Sequence, residues 1–290
     1  MDSDADIRRI VERALAEDIG PGDVTSNAII PPTTHLQGVF FVKASGVIAG
    51  LGVVGQVFRQ VDPAIRYEPL VAEGSAIAPG DVVARVEGDG PGILIGERVA
   101  LNILQRMSGI ASRTLRYVDA VRGTRAKVLD TRKTVPGLRT LDKMAVALGG
   151  GTNHRIGLFD MVLIKDNHIE AAGGITPAVR LVREHVQGLA RGRELAIEVE
   201  VESLAQFDEA LALGVDRIML DNMDPDTMRE AVRRRGSAAV ELEASGGITL
   251  ETVAAVAATG VDLISVGDLT HSVRALDISL DITLSTRGGR

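Results

Sequence analysis

The chain has 290 residues, 45% of them apolar and 24% charged, with a formal charge of −7 and no cysteine. That composition predicts a soluble globular protein of one large domain or two ordinary ones, at about 100 to 200 residues per domain, and it excludes disulfide frameworks, thiolate zinc sites and cysteine nucleophiles. Aromatic residues are only 2%, with no tryptophan, so stacking on single-stranded nucleic acid is not expected, and the acidic balance argues against electrostatic binding to a duplex. No apolar run approaches the roughly 18 residues of a membrane span, and the acidic start MDSDAD is unlike a targeting peptide. The expected location is cytoplasmic, with no membrane or nucleic-acid partner.

The spacing of Ile7, Ile10, Val11, Ala14 and Leu15 predicts a helix that stops at the turn residues Asp18 to Asp23. Strand-like runs follow at Gln37 to Lys43, Gly46 to Ala49 and Ala76 to Glu87, the last broken at Pro79-Gly80-Asp81. Together they read as a small α+β domain. From Ile95 to Val121 the pattern is helical, with Val99, Ile103 and Met107 on one stripe, and Ser108-Gly109 predicts a break between two helices.

Beyond Arg125 short apolar runs alternate with amphipathic stretches. The runs are Ala126–Leu129, Met161–Ile164, Leu195–Ile197, Arg217–Leu220, Val240–Leu242 and Leu263–Val266; the helical stretches include Pro177–His185, Leu204–Leu213, Pro225–Arg234 and Leu250–Ala258. Such alternation implies βαβ units and a parallel sheet. Six strands are fewer than the eight of a standard barrel, so an incomplete or atypical α/β barrel is the first expectation. A doubly wound sheet ranks second, because no glycine-rich dinucleotide fingerprint follows any strand.

Function in parallel α/β folds collects at the carboxyl ends of the strands. Here those positions hold Asp130-Thr131-Arg132-Lys133, Lys165-Asp166-Asn167-His168, Glu198 and Glu200, Asp221-Asn222, Glu243-Ala244-Ser245-Gly246-Gly247, and Gly267-Asp268. Asn153-His154-Arg155 follows a triple glycine that packing alone does not readily explain. The residues imply an anionic, phosphorylated substrate gripped by Arg132, Lys133, His154, Arg155 and Lys165, with Glu200 and Asp221 serving a metal, a hydroxyl or a cationic transition state. Glycines after the last two strands suit a phosphate held on backbone N–H groups. Zinc is disfavoured, since no H-E-x-x-H spacing is present; carboxylates beside phosphate suit Mg²⁺ better. His35 and His185 read as surface residues.

Nine of these stretches, in order from about residue 17 to residue 281, carry a resemblance. They include Glu97-Arg98-Val99-Ala100-Leu101-Asn102, Asp130 to Arg139, Gly149 to Arg155, Leu163 to His168, Glu198-Val199-Glu200-Val201, Glu243 to Ile248 and Val266 to Thr270. The chain resembles the quinolinate phosphoribosyltransferases. That resemblance implies an N-terminal α/β sandwich domain (1–108), an incomplete α/β barrel (109–274) and a C-terminal segment (275–290) returning to the first domain. It implies transfer of phosphoribosyl from 5-phosphoribosyl 1-diphosphate to quinolinate with Mg²⁺, giving nicotinate mononucleotide, diphosphate and CO₂. By motif, Arg98, Arg132, His154, Arg155 and Lys165 would hold quinolinate. Lys133 and Lys165 would approach the diphosphate, Glu200 and Asp221 the ribose and metal, and Ser245, Gly246, Gly247 and Gly267 the 5-phosphate. Lys133, Lys165, Glu200 and Asp221 are the expected catalytic set. A homodimer, or a higher oligomer built on it, is implied, with Arg98 reaching the neighbouring site. Two rivals remain in view: a paralogue serving molybdenum transport, expected to have lost parts of this grip, and a non-catalytic phosphate-binding barrel.

Overall fold

The computed structural model describes residues 3–188 and 195–285. Residues 286–290 of the expected C-terminal segment lie outside it. Contacts divide the chain into two compact units. One holds the residues up to Leu115, Thr134–Gly150 and the chain from Leu269; the other holds Arg116–Lys133 and Gly151–Asp268. Among the described residues no helix is long and apolar enough to cross a membrane.

The first unit opens with the predicted helix, Ser3–Ile19, whose Ile7, Ile10, Val11 and Leu15 are buried. Its strands are β1 (His35–Val42), β2 (Gly46–Val47), β3 (Arg66–Pro69), β4 (Ala76–Ile77) and β5 (Val82–Asp89). Strands β1, β5 and β3 form an antiparallel sheet that the last strand of the chain, Ile278–Leu284, completes on the free edge of β1. Strands β2 and β4 pair separately. Phe40, Phe58 and Tyr67 pack with ring centroids 6.0 to 6.2 Å apart, geometry that favours aromatic edges and offset faces. The helix Leu51–Val61, which carries Phe58, was not apparent from the glycine-containing sequence before it.

One expectation fails here. Ser108-Gly109 does not separate two helices; a single helix runs Gly90–Ala120. The small pair serves close approach instead. Ser108 Oγ accepts the Ala49 N–H at 3.0 Å, and a Cβ at Gly109 would lie 2.3 Å from the Arg274 carbonyl oxygen. Further along the same unit, Arg106 on this helix makes a two-pronged bond to buried Asp142 at 2.8 and 2.9 Å.

The second unit holds six parallel strands: β6 (Lys127–Leu129), β7 (Val162–Ile164), β8 (Ile197–Val201), β9 (Arg217–Asp221), β10 (Glu241–Ser245) and β11 (Leu263–Ser265). Ile278–Leu284 is therefore β12. The order β6-β11-β10-β9-β8-β7 joins the first strand to the last but leaves β6 and β7 as edges. This is the incomplete barrel; from β7 onward the strands are joined through the helices read from the sequence, whereas the helix Arg139–Leu148 between β6 and β7 was not read there and belongs to the first unit. Strand alternation sorts its residues. Val199, Val201, Ile218, Leu220, Leu242 and Ala244 are buried, and with them Phe207, Ala210, Met228, Ala231 and Val256 of the covering helices. Glu198, Glu200, Arg217, Met219, Asp221, Glu243 and Ser245 share the opposite face.

Strands β8 and β10 run further than expected. Glu198 and Glu200 lie within β8, and Glu243 to Ser245 within β10, where they read as residues following each strand. A charged residue suggests a strand end only when its face is exposed; here the face lines the barrel interior.

Candidate active site

Strand β6 delivers the first group. Buried Asp130 follows it and its Oδ1 accepts the His154 N–H at 2.8 Å, so a side chain ties the two arms of the site together. The glycines before His154 have separate tasks. A Cβ at Gly149 would lie 2.4 Å from the Ala111 carbonyl oxygen, which makes that glycine a packing residue, and Gly150 takes φ +85°.

Arg132 and Arg155 come close enough for one charge to act on the other. Burial, and then the Arg132 charge, hold the Arg155 guanidinium below its ordinary range. Arg132 Nε is buried with no hydrogen-bond partner among the described residues. Two guanidiniums gathered without a full set of acceptors suit an anion chemically. The turn after Arg155 is tied by Asp160, which accepts the N–H groups of Ile156 and Gly157 at 2.7 and 2.8 Å. Lys133 is exposed.

Lys165 ends the run from β7 and stands at the start of the helix Asp166–Ala172. Its Nζ donates to Glu200 Oε2 at 2.7 Å. His168 accepts the Lys165 N–H on Nδ1 at 2.9 Å, so this histidine caps its own helix. Across the barrel face, Asp221 ends β9 and accepts from Asn222 Nδ2 at 2.7 Å. Asn222 has φ +52°. It donates its N–H to the Ser245 carbonyl at 3.0 Å and leaves no room at Gly246, where a Cβ would lie 2.2 Å from Asn222 Oδ1. Gly246 and Gly247 both take positive φ, +94° and +57°, the freedom only glycine has at no cost. Gly267 follows β11. Arg98 is exposed on the helix Gly90–Ala120, and His35 and His185 are exposed as expected.

Behind His154 lies a buried charge cluster. Its Nε2 is 3.1 Å from Glu198 Oε2 and 3.4 Å from Glu243 Oε2. Arg217 Nη1 donates to Glu243 Oε2 at 3.2 Å, and Nη2 to Glu241 at 2.9 Å. Burial pulls the imidazole down, but the two carboxylates outweigh it and the net push is upward, to about 9. Against a second proton stands the Arg155 N–H, which donates to His154 Nδ1 at 2.7 Å. Two N–H donors cannot face each other at that distance, so the hydrogen bond fixes the proton on Nε2. Burial, then the Glu243 charge, raises Glu198 to about 7. Glu243, buried but faced by His154 and Arg217, is held below the usual carboxylate range.

Two family models, the N-terminal and C-terminal domains of quinolinate phosphoribosyl transferase, match residues 23–108 and 110–281. The chain belongs to the quinolinate phosphoribosyltransferase family. It is 47% identical over 280 residues to the nicotinate-nucleotide pyrophosphorylase (carboxylating) of Mycobacterium leprae, covering 95% of this chain and 96% of that protein. It is 43% identical over 279 residues to the probable enzyme of that name from Bacillus subtilis, covering 96% and 94%. The solved nicotinate-nucleotide pyrophosphorylase of Francisella tularensis superposes with a TM-score of 0.90 at 36% identity over 98% of each chain.

Within this quinolinate phosphoribosyltransferase fold, the sequence reading left five residues without a role: Asp130, Glu198, Arg217, Asn222 and Glu243. The signal for two of them was available. Period-two alternation puts Arg217 on the face of Asp221, and Glu243 on the face of Ser245, so inward-facing charge could have been read from parity. Asn222 gave no such signal beyond its tolerance of positive φ.

Proposed function

We propose that this chain transfers phosphoribosyl from 5-phosphoribosyl 1-diphosphate to quinolinate with decarboxylation, giving nicotinate mononucleotide, diphosphate and CO₂ for NAD biosynthesis. The observation that carries this reading is the approach of Arg132 to Arg155, with Arg132 Nε buried and unpartnered among the described residues. Quinolinate presents two adjacent carboxylates, and guanidinium forks suit each of them. Lys165 and His154 complete the grip within the chain; Arg98 of the partner subunit completes it in a homodimer. Ser245, Gly246, Gly247 and Gly267 cradle the 5-phosphate, and Lys133 meets the diphosphate.

As the bond from ribose C1 to the diphosphate oxygen breaks and the quinolinate nitrogen bonds to C1, positive charge develops on the sugar. Glu200 and Asp221, on adjacent strands, are the carboxylates that would stabilise it. The ribosylated ring nitrogen is then cationic. Loss of CO₂ from the neighbouring carbon leaves an electron pair that this charge stabilises until the carbon takes a proton. The protein orients the ring and excludes water.

Mg²⁺ fits the donor set: Glu200 and Asp221 offer carboxylate oxygens, and Lys165 already engages Glu200 at 2.7 Å, which leaves an ion to be held mainly through substrate phosphates. When bound, Mg²⁺ neutralises the departing diphosphate. The proposal includes a cytoplasmic location.

The test is incubation of the purified protein with quinolinate, 5-phosphoribosyl 1-diphosphate and Mg²⁺, with detection of CO₂ and nicotinate mononucleotide. Nicotinate, lacking the second carboxylate, should react far more slowly, since a site built to pair polar groups rejects a substrate that leaves them unpaired. Equal rates with nicotinate would defeat the assignment.

A further inference from the structure

The interior of an α/β barrel is ordinarily filled by branched apolar side chains. Here its packed depth holds two fully buried carboxylates, Glu198 on β8 and Glu243 on β10, with Arg217 on the strand between them. Burying charge is costly, and apolar residues of like volume would pack there at less cost. The arrangement therefore needs a reason beyond stability, and its geometry supplies one.

The backbone and both ring nitrogens of His154 make polar contacts within the protein. Its backbone N–H binds Asp130 at 2.8 Å, Nδ1 accepts from the Arg155 N–H at 2.7 Å, and Nε2 faces Glu198 and Glu243 at 3.1 and 3.4 Å. Only one ring form satisfies this set, the neutral imidazole with its proton on Nε2. The carboxylates select that form, and the form selected lets Nδ1 hold the backbone of Arg155. A chain of contacts thus runs from the buried pair, through the ring, to one of the two arginines proposed to hold quinolinate.

The geometry points to Glu198 and Glu243 as positioning residues: they lock His154 with its proton on Nε2, so that Arg155 is held for the carboxylate of quinolinate. This rests on the functional reading above. The charged groups facing the pair are His154 and Arg155 from the loop before β7, Arg217 from β9 and, through Arg217, Glu241. Ser265 of β11 also faces Glu243. A divalent ion could in principle take one atom each from His154, Glu198 and Glu243, which lie within 4.8 Å of one another. Arg217, 3.2 Å from Glu243, already supplies positive charge and opposes a second cation.

The test uses Glu198→Gln and Glu243→Gln in the full chain. Long-range proton–nitrogen spectra of nitrogen-15 histidine, assigned with a His154→Gln control, should show the wild-type ring with a proton on Nε2 and none on Nδ1. The Gln variants should show mixed ring forms. Their quinolinate KM should rise roughly tenfold, the scale on which outer partners of a functional histidine act, while the KM for 5-phosphoribosyl 1-diphosphate stays within about twofold. If Glu243→Gln fails to fold because Arg217 loses its buried partner, the charge-balanced double variant Glu243→Gln with Arg217→Met is measured in its place. An unchanged quinolinate KM with an unchanged ring form overturns the inference, as does an equal loss in both KM values. A stoichiometric divalent ion in the purified protein that Glu198→Gln abolishes would overturn it in favour of a metal centre. The spectra need no substrate, so a protein that locks the ring but does not turn over quinolinate refutes the functional reading and not the lock.

Discussion

Lys165 and Glu200 meet across neighbouring strands, Nζ to Oε2 at 2.7 Å, with the carboxylate nearly buried and the ammonium half open. The open side of the ammonium leaves it able to meet an anion without giving up Glu200, and Glu200 keeps its second oxygen for charge that develops on the sugar. Glu200→Gln keeps the shape and removes the charge. Turnover should fall about 100-fold, the scale of losing one preorganised electrostatic contact, while quinolinate KM changes little. Steady-state kinetics of the two substrates decide it. Full turnover in the amide variant would make Glu200 a bystander.

Gly246 and Gly247 look equivalent in the sequence, and the structure separates them. Alanine at Gly246 meets both a φ of +94° and Asn222 Oδ1 at 2.2 Å; alanine at Gly247 meets a φ of +57° and nothing within 4 Å. Gly247→Ala should cost roughly 1–2 kcal/mol of stability and leave Asn222 in place. Gly246→Ala should cost more and also displace Asn222, raising the KM for 5-phosphoribosyl 1-diphosphate. Thermal unfolding and kinetics of the pair test the contrast; equal effects at the two positions would contradict it.

Much of the architecture was legible because alternating apolar runs and amphipathic stretches leave little choice of fold. All six barrel strands were placed, for the reason that β-branched and aliphatic residues cluster where both faces are covered. What failed were judgements that needed a third dimension. Ser108-Gly109 looked like a break, yet the small residues serve contacts with Ala49 and Arg274 far along the chain. Glu198 and Glu243 looked like residues beyond their strands, because a sequence shows charge but not the partner that permits its burial. His154 was visible as unusual, whereas the carboxylates that face its Nε2 come together only when the fold sets β8 and β10 on either side of β9.

The buried pair also predicts how stability depends on pH. Burial first, and the Glu243 charge second, raise Glu198 from 4.5 to about 7, with His154 and Arg217 acting against the rise. The folded protein thus keeps a proton that the unfolded chain releases between those values. It binds more protons than the unfolded state across that window, so this group's contribution to stability declines as pH rises from about 4.5 to about 7. Glu198→Gln has no proton to lose there. Urea midpoints measured through the window should fall less steeply with pH in the variant than in the wild type; parallel curves would show that Glu198 titrates normally.

The last prediction concerns which subunit completes the site. Arg98 is exposed on the helix Gly90–Ala120, and the proposed homodimer has it serve the pocket of its neighbour. Arg98→Ala and Lys165→Ala should each be inactive alone. Co-expressed and allowed to pair at random, they form mixed dimers about half the time, by the two-fold symmetry of an isologous pair. In a mixed dimer one pocket takes Lys165 from the first chain and Arg98 from the second and is wholly wild type, while the other pocket lacks both. Roughly a quarter of wild-type sites should therefore return. If Arg98 instead serves its own chain, every pocket in every dimer lacks one of the two residues. Activity of the mixture then stays at the level of the separate variants, and Arg98 leaves the shared-site arrangement.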